Sequence, residues 1–324
     1  MRAIVCRDFS KPLQVETVDD PAPGPDDVLI EVGACGVNFV DGLIVTGKYQ
    51  IKPDLPYVAG FEVAGTVRAC GANVSDLTVG QSVFATTGLG GGGYAELASV
   101  SRDQVFALPQ ALTLGQGATF VQSYCTALFS LRYRMQLGPG QTLLVLGASG
   151  GVGRAAVDIG KALGANVIAA ASSAERLEAC ASLKPDGVIN YSRDDIKTQA
   201  RTLTNGKGVD AVYDPLGGEY SEPALRALGD DGTFLVIGFA AGSIPKLPTN
   251  QVLLRNRRVV GVDWGGWRTH NPGLQSKLMN ELAALVDAGK LDPQQPKEYA
   301  LEAATEALRA VNEREVVGKV ALIP

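Results

Sequence analysis

The chain has one histidine, His270, and no two cysteines in CxxC spacing; its five cysteines, Cys6, Cys35, Cys70, Cys125 and Cys180, are scattered. An odd, unpaired set of this kind points to a reducing compartment rather than a disulfide framework. Basic residues are also short: 29 Lys and Arg stand against 34 Asp and Glu, for a net charge of −5. No basic run extends beyond Arg255, Arg257 and Arg258, so no nucleic-acid partner is expected. Long apolar runs are missing. The most apolar stretch, Leu143 to Ala171, is broken by glycines, Arg154, Asp158 and Lys161, and no membrane span is expected. In MRAIVCRDF, Arg7 and Asp8 interrupt any apolar leader core, which makes a cytoplasmic location the expectation. Aromatics reach only 6%, while glycine is abundant at 39 residues. Tight turns and close packing of small side chains follow. A 324-residue chain that is 46% hydrophobic buries a large interior and suits about two domains.

Residues 1 to about 118 predict short β segments with frequent turns. Val28 to Val32 reads as a strand after the turn PAPGPDD, Val63 to Ala69 and Ser82 to Thr87 read similarly, and Gly88 to Gly93 reads as loop. From about 119 the pattern alternates strand and helix. Leu143 to Leu146 is a continuous apolar run, the mark of a parallel strand buried on both faces. A helix over 151–163 follows, then strands over 166–171, 187–190, 209–213 and 233–237 with helices between them. This is a doubly wound sheet with right-handed crossovers. Past Val262 the pattern gives helices over 274–288 and 303–311 and a strand over 318–323. The expected domains are 1–118 with 262–324, and 119–261.

The strongest local signal is LLVLGASGGVGRAAVDIGKALGANVIAAAS. Aligned to the dinucleotide fingerprint, its three key positions are Ala148, Gly150 and Gly153, with Ser149, Gly151 and Val152 completing the turn. Gly150 lets backbone approach a pyrophosphate, Gly153 lets the helix lie close to its strand, and the helix N-terminus offers free N–H groups. The turn follows a buried strand and opens a helix, the context a dinucleotide site needs. About 20 residues further on, an NAD site places an acid against the ribose. Here Ser172 and Ser173 stand there, followed by Arg176. Hydroxyls and a guanidinium suit a 2′-phosphate, so NADPH is the expected cofactor. Helix capping by either serine is the plainer alternative, and both roles can coexist.

Together these segments resemble the medium-chain dehydrogenase/reductases, and within them the zinc-independent quinone oxidoreductase group. The anchors are GACGVNFVDGLIVTGKY (33–49), PYVAGFEVAGTV (56–67), GGYAEL (92–97), VQSYCTAL (121–128), INYSRDD (189–195), VDAVYDPLGG (209–218) and the stretch 236–265. The resemblance implies an α/β architecture: a β-rich GroES-like catalytic domain plus a Rossmann doubly wound cofactor domain. It implies cofactor contacts from Thr126, Tyr191, Leu216, Gly238, Phe239, Trp264 and Gly265, a weaker one from Lys319 against the plain alternative of a solvated lysine, and a homodimer joined at a sheet edge near Val236 or Val260. Zinc-dependent members hold their metal with Cys, His and Cys. Those places are taken here by Asn38, Phe61 and Gln122, so no metal is expected. Cys35 and Cys125 then read as small packing side chains, and Asp41 and Glu62 as structural carboxylates.

Without a Lewis acid, the expected chemistry is hydride delivery from NADPH to an acceptor that is already electron-poor, a quinone or an α,β-unsaturated carbonyl. Asn38 is the first candidate to contact nicotinamide or substrate oxygen; its alternative is a buried amide tying down the loop. Tyr49 is the candidate phenol donor, with packing on Pro53 as its alternative. An enoyl-thioester reductase and a nucleotide-binding protein with little catalysis are the competing functions.

Overall fold

Leu143, Leu144 and Val145 have no polar face to offer water, and in the computed structural model they form the middle of a parallel sheet with no exposure at all. The structure describes residues 1–324, the side chain of Leu89 excepted. Two units are present: Met1–Gln122 with Pro293–Pro324, and Ser123–Asp292.

The first unit begins with β1 (Arg2–Cys6), β2 (Gln14–Thr17) and β3 (Asp27–Val37), followed by α1 (Phe39–Val45), β4 (Tyr57–Val58), β5 (Glu62–Cys70) and β6 (Ser82–Thr86). It continues through β7 (Leu97–Ser101), β8 (Val105–Ala107) and α2 (Leu114–Ala118). Helix α3 (Val121–Leu128) leads into the second unit, which holds β9 (Thr142–Val145), α4 (Gly151–Ala162), β10 (Asn166–Ala171), α5 (Ala174–Glu178), β11 (Gly187–Asn190), α6 (Ile196–Leu203) and β12 (Val209–Asp214). After these come α7 (Ser221–Ala227), β13 (Leu228–Val236), α8 (Thr249–Leu253), β14 (Arg258–Gly261), α9 (Trp264–His270) and α10 (Pro272–Asp287). The chain then returns to the first unit with β15 (Lys297–Ala300), α11 (Ala304–Asn312) and β16 (Val320–Ile323).

In the first unit one sheet runs β15-β16-β3-β5-β6-β8 with β7 also paired to β3, and a smaller one runs β2-β1-β4. β3 serves two neighbours along one edge: Asp27 to Glu31 pair with β7, and Cys35 to Val37 pair with β16. In the second unit the order is β11-β10-β9-β12-β13-β14, every pairing parallel. Chain order reverses between β9 and β12, and a ligand crevice forms outside the carboxyl ends of strands at such a point.

The expected return to the first domain at residue 262 falls instead after Asp292. Helix α10 accounts for the difference. It buries Leu278, Met279, Leu282 and Val286, and Met279 Sδ lies 3.2 Å from Cys125 Sγ on α3. A helical pattern announces a face to be buried without saying which sheet will bury it. Helices α1, α2, α3, α8 and α9 and strands β1, β2, β4, β7, β8 and β15 have no reading in the sequence. The helix expected between the strands over 166–171 and 187–190 ends at Glu178, and Ala181–Leu183 forms one 3₁₀ turn.

Two substitutions test this packing. Leu144→Ala, in a fully buried site, should lower unfolding free energy by about 3 kcal/mol. Gly273→Ala, on α10 where an added Cβ meets nothing within 4 Å, should raise it by about 0.5 kcal/mol. Urea denaturation of both variants measures the two shifts.

Candidate functional site

In the second unit, β9 ends in a turn whose left-handed residue is Gly147, at φ 58°. The dinucleotide fingerprint places its first position on Ala148, one residue later. Ala148 is fully buried and donates its N–H to Ala170 O at 3.0 Å, so the wider turn is resolved by a glycine immediately before it. Gly150 is the N-cap of α4 and brings no side chain to cap it. The N–H groups of Gly151, Val152 and Gly153 therefore have no carbonyl one turn back and no cap. A Cβ on Gly153 would lie 2.1 Å from Gly147 O, whereas one on Gly150 would meet only that oxygen, at 3.4 Å. The fold itself demands glycine at 153 and not at 150.

The neighbouring strands bring several more of the predicted residues of this unit to the same edge. Ala171 pairs with Asn190, which sets Ser172 beside Tyr191, and the Tyr191 N–H donates to Ala171 O at 3.1 Å. Ser173 caps α5 by accepting from the Arg176 N–H at 3.2 Å, so the capping role holds for that serine. Tyr191 packs on Tyr220 with ring centres 4.7 Å apart. Beyond β12, Asp214 accepts from the N–H groups of Leu216 and Gly217 and from Ser221 Oγ, fixing the loop that carries Leu216 against the Gly147 turn. Burial pushes the Asp214 carboxyl above its ordinary value. Gly238 follows β13, and Phe239 is 39% exposed. Trp264 is buried, its Nε1 donating to Gln275 Oε1 at 2.9 Å, with the Arg268 guanidinium over its ring. That indole has a structural partner which sequence could not reveal, since Gln275 lies on the next helix. Gly265 follows it at the start of α9, and Thr126 is buried on α3.

The first unit gathers a polar cluster. Asn38 is the N-cap of α1, and its N–H donates to Asp41 Oδ2 at 2.8 Å. Its side-chain Nδ2 donates to Glu62 Oε1 at 3.1 Å, and its Oδ1 accepts from Lys319 Nζ at 2.6 Å. Lys319 Nζ is also 3.5 Å from Glu62, and the Gln122 N–H donates to Glu62 Oε2 at 2.8 Å. Lys319, whose plain alternative was a solvated surface lysine, is a largely buried cation, because β16 pairs with β3 and delivers the end of the chain beside Asn38. Tyr94, given no role by the sequence, donates its hydroxyl to Asp41 at 3.0 Å. Burial raises the Asp41 carboxyl to about 7, against the opposing pull of the Asn38 N–H and the Tyr94 hydroxyl. Cys35 donates to Gly93 O, and burial pushes its thiol up to about 12, which leaves it inert as a nucleophile. Tyr49 lies half-buried against the hydrophobic core of this unit.

Two family descriptions match the chain: alcohol dehydrogenase GroES-like domain over residues 24–110, and zinc-binding dehydrogenase over residues 151–280. The quinone oxidoreductase-like protein 2 homolog of Nematostella vectensis is 35% identical over 324 residues, covering 99% of this chain and 88% of that protein. The quinone oxidoreductase of Rattus norvegicus is 33% identical over 95% of this chain and 92% of its own. Among solved structures, the Escherichia coli quinone oxidoreductase complexed with NADPH matches with a TM-score of 0.91 and 27% identity over the whole of both chains. One description names zinc, but the residues here do not suit it. Among the described residues no three His, Cys, Asp or Glu side chains converge on a metal position. Asn38 already faces an ammonium, and Phe61 is a buried hydrocarbon.

The raised Asp41 carboxyl carries a sign. The folded state holds this proton up to about pH 7, while the unfolded chain releases it near 3.8. Stability should therefore fall as pH rises through that window. Asp41→Asn should flatten this slope in thermal melts between pH 4 and 7.5, leaving the contributions of Asp158, which burial raises to about 6, and of Asp214, which burial also raises. Melting curves that keep the full slope would show that Asp41 is ionised throughout.

Proposed function

Because this chain belongs to the medium-chain dehydrogenase/reductase superfamily, as a quinone oxidoreductase-like oxidoreductase, we propose that it uses NADPH to reduce quinones or α,β-unsaturated carbonyls without a metal. The turn at Gly150 carries this reading, since the fold leaves room for a side chain there and glycine keeps the start of α4 open to an outside group. When bound, NADPH supplies a hydride to an electron-poor carbon. The open N–H groups at the start of α4 hold the pyrophosphate, and the helix dipole adds to them. Ser172 and Arg176 hold the 2′-phosphate, the hydroxyl as donor and the guanidinium as a fork. Tyr191 flanks the adenosine, while Leu216, Gly238 and Phe239 border the nicotinamide end.

In the first unit, Asn38 has its carbonyl fixed by Lys319 and one amide hydrogen fixed by Glu62. The amide cannot flip without placing its NH₂ against the ammonium. Its second hydrogen is directed to the acceptor oxygen, where negative charge develops on reduction. Lys319 acts as the positioning residue for that amide, and Tyr49 supplies the proton that completes reduction. The exposed edge strand β14, with Val259 41% exposed and Leu254 nearby, suits a homodimer. All five cysteines are free thiols, in keeping with a reducing cytoplasm. No helix among the described residues is long and apolar enough to cross a membrane.

Purified, chelator-treated protein should oxidise NADPH in the presence of a quinone or an enone, and NADH more slowly. Arg176→Glu should raise KM for NADPH about ten-fold or more. Asn38→Ala should lower kcat by about ten-fold to a hundred-fold with little change in KM for NADPH. Tyr49→Phe with unchanged turnover removes the phenol from the mechanism. Tight NADPH binding without turnover on quinone, enone and enoyl thioester overturns the reductase reading, and loss of activity to the chelator overturns its metal-free form.

A further inference from the structure

The second unit has a cationic cavity away from the glycine turn. Lys197 and Arg201 on α6, Arg226 on α7, and Arg255 and Arg257 in the segment after α8 line about 350 Å³ of space together with Gln251. Two of these five cations have a carboxylate close by: Arg226 with Glu222 at 2.6 Å and Arg255 with Asp230 at 3.0 Å. Among the described residues, Lys197, Arg201 and Arg257 have no salt-bridge partner. Arg257 is only 6% exposed. Its Nη1 donates to Gln251 O at 3.1 Å and its Nη2 to Leu228 O at 2.7 Å, while its Nε is buried with no partner. The Nε of Arg201 is in the same condition. Burial, followed by the nearby charges of Arg255 and Arg201, lowers the pKa of Arg257.

A buried guanidinium without an anion is unfavourable, and gathering further cations around it adds repulsion. A fold keeps such a cluster at low cost when an anion enters it. The location separates this cavity from the dinucleotide edge. Leu228, which holds Arg257, opens β13, and Arg258 opens β14, so Arg257 sits at the N-terminal ends of strands whose opposite ends carry Gly238 and Trp264. We propose that the cavity is a second anion site that takes a phosphoryl group, free or on a small phosphorylated metabolite. Guanidinium forks arriving from several elements match an oxyanion with three or more acceptor atoms better than one carboxylate. The volume exceeds what a bare phosphate fills and admits a small organic substituent. On a chain of net charge −5, this local positive field is also what draws an anion in.

Calorimetric titration of the full chain with inorganic phosphate, and separately with glycerol 3-phosphate, at constant ionic strength tests the site. Saturable binding is expected with NADPH present or absent, because the cavity does not share the dinucleotide turn. Arg201→Gln should weaken it at least about ten-fold, and Lys197→Gln should weaken it in the same direction. Both side chains are at least partly exposed, so the fold should tolerate the changes. Glu222→Gln, which releases Arg226, should tighten binding, a gain that misfolding cannot produce. Tighter binding of glycerol 3-phosphate than of phosphate identifies a metabolite as the occupant; the reverse identifies free phosphate. The absence of saturable binding, or binding displaced by NADPH and unmoved by Arg201→Gln, overturns the proposal. A protein inactive on every acceptor yet binding phosphate in this pattern would leave the second site standing while the reductase reading falls.

Discussion

The contact between Gly153 and the carbonyl of Gly147 is the constraint on which the glycine-turn edge of the second unit depends. A helix follows β9 at a distance that no side chain at 153 can share, since an added Cβ would stand 2.1 Å from that oxygen. The close approach aims the start of α4 at the crevice where strand order reverses. The left-handed backbone at Gly147 turns the chain sharply enough to make the approach possible. Leu216, held through the Asp214 loop, closes against the other side of the same turn. The parallel register then assigns everything else: Ser172 and Tyr191 stand beside one another because Ala171 and Asn190 are paired.

In the first unit the governing interaction is electrostatic. Two carboxylates, Glu62 and Asp41, are buried near one ammonium. Burying a charge is costly unless it is paired and hydrogen-bonded. Glu62 meets that condition through Lys319, Asn38 and the Gln122 N–H, whereas Asp41 meets it only in part and holds its proton to about pH 7. The outcome is an Asn38 amide of fixed orientation. Gly36 belongs to this arrangement, because a Cβ there would lie 2.7 Å from the Glu62 side chain and 2.0 Å from Ala118 O. A preorganised donor is useful in catalysis because it does not have to reorient as charge develops.

The arginine cavity shows how far overall charge can mislead. Composition describes an acidic chain, and the run around Arg257 amounts to three arginines in four positions. Only the packing of α6 and α7 against the segment after α8 adds Lys197, Arg201 and Arg226 to that group. Residues sixty apart in sequence share one small volume, and no local pattern encodes that proximity.

The architecture was legible because each part of it rests on a local physical signal. An all-apolar run such as Leu143 to Leu146 has no face for water and belongs inside a parallel sheet; glycines at 150 and 153 before a helical period announce the tight turn between β9 and α4. The small strands of the first unit were less legible, since two to five residues without clean alternation carry little periodicity. The attachment of α10 was not legible, because an apolar stripe fits either unit. What sequence alone determined was the set of local backbone choices: turns, helix starts and strands dictated by sterics and by the removal of apolar surface from water. The tertiary structure decided which polar atoms meet. Lys319 reaches Asn38 through a strand pairing across 281 residues, Gln275 takes the Trp264 indole, and Tyr94 takes Asp41. Such partnerships depend on distances between segments remote in the chain, and a hydrogen bond or ion pair is specified by distance.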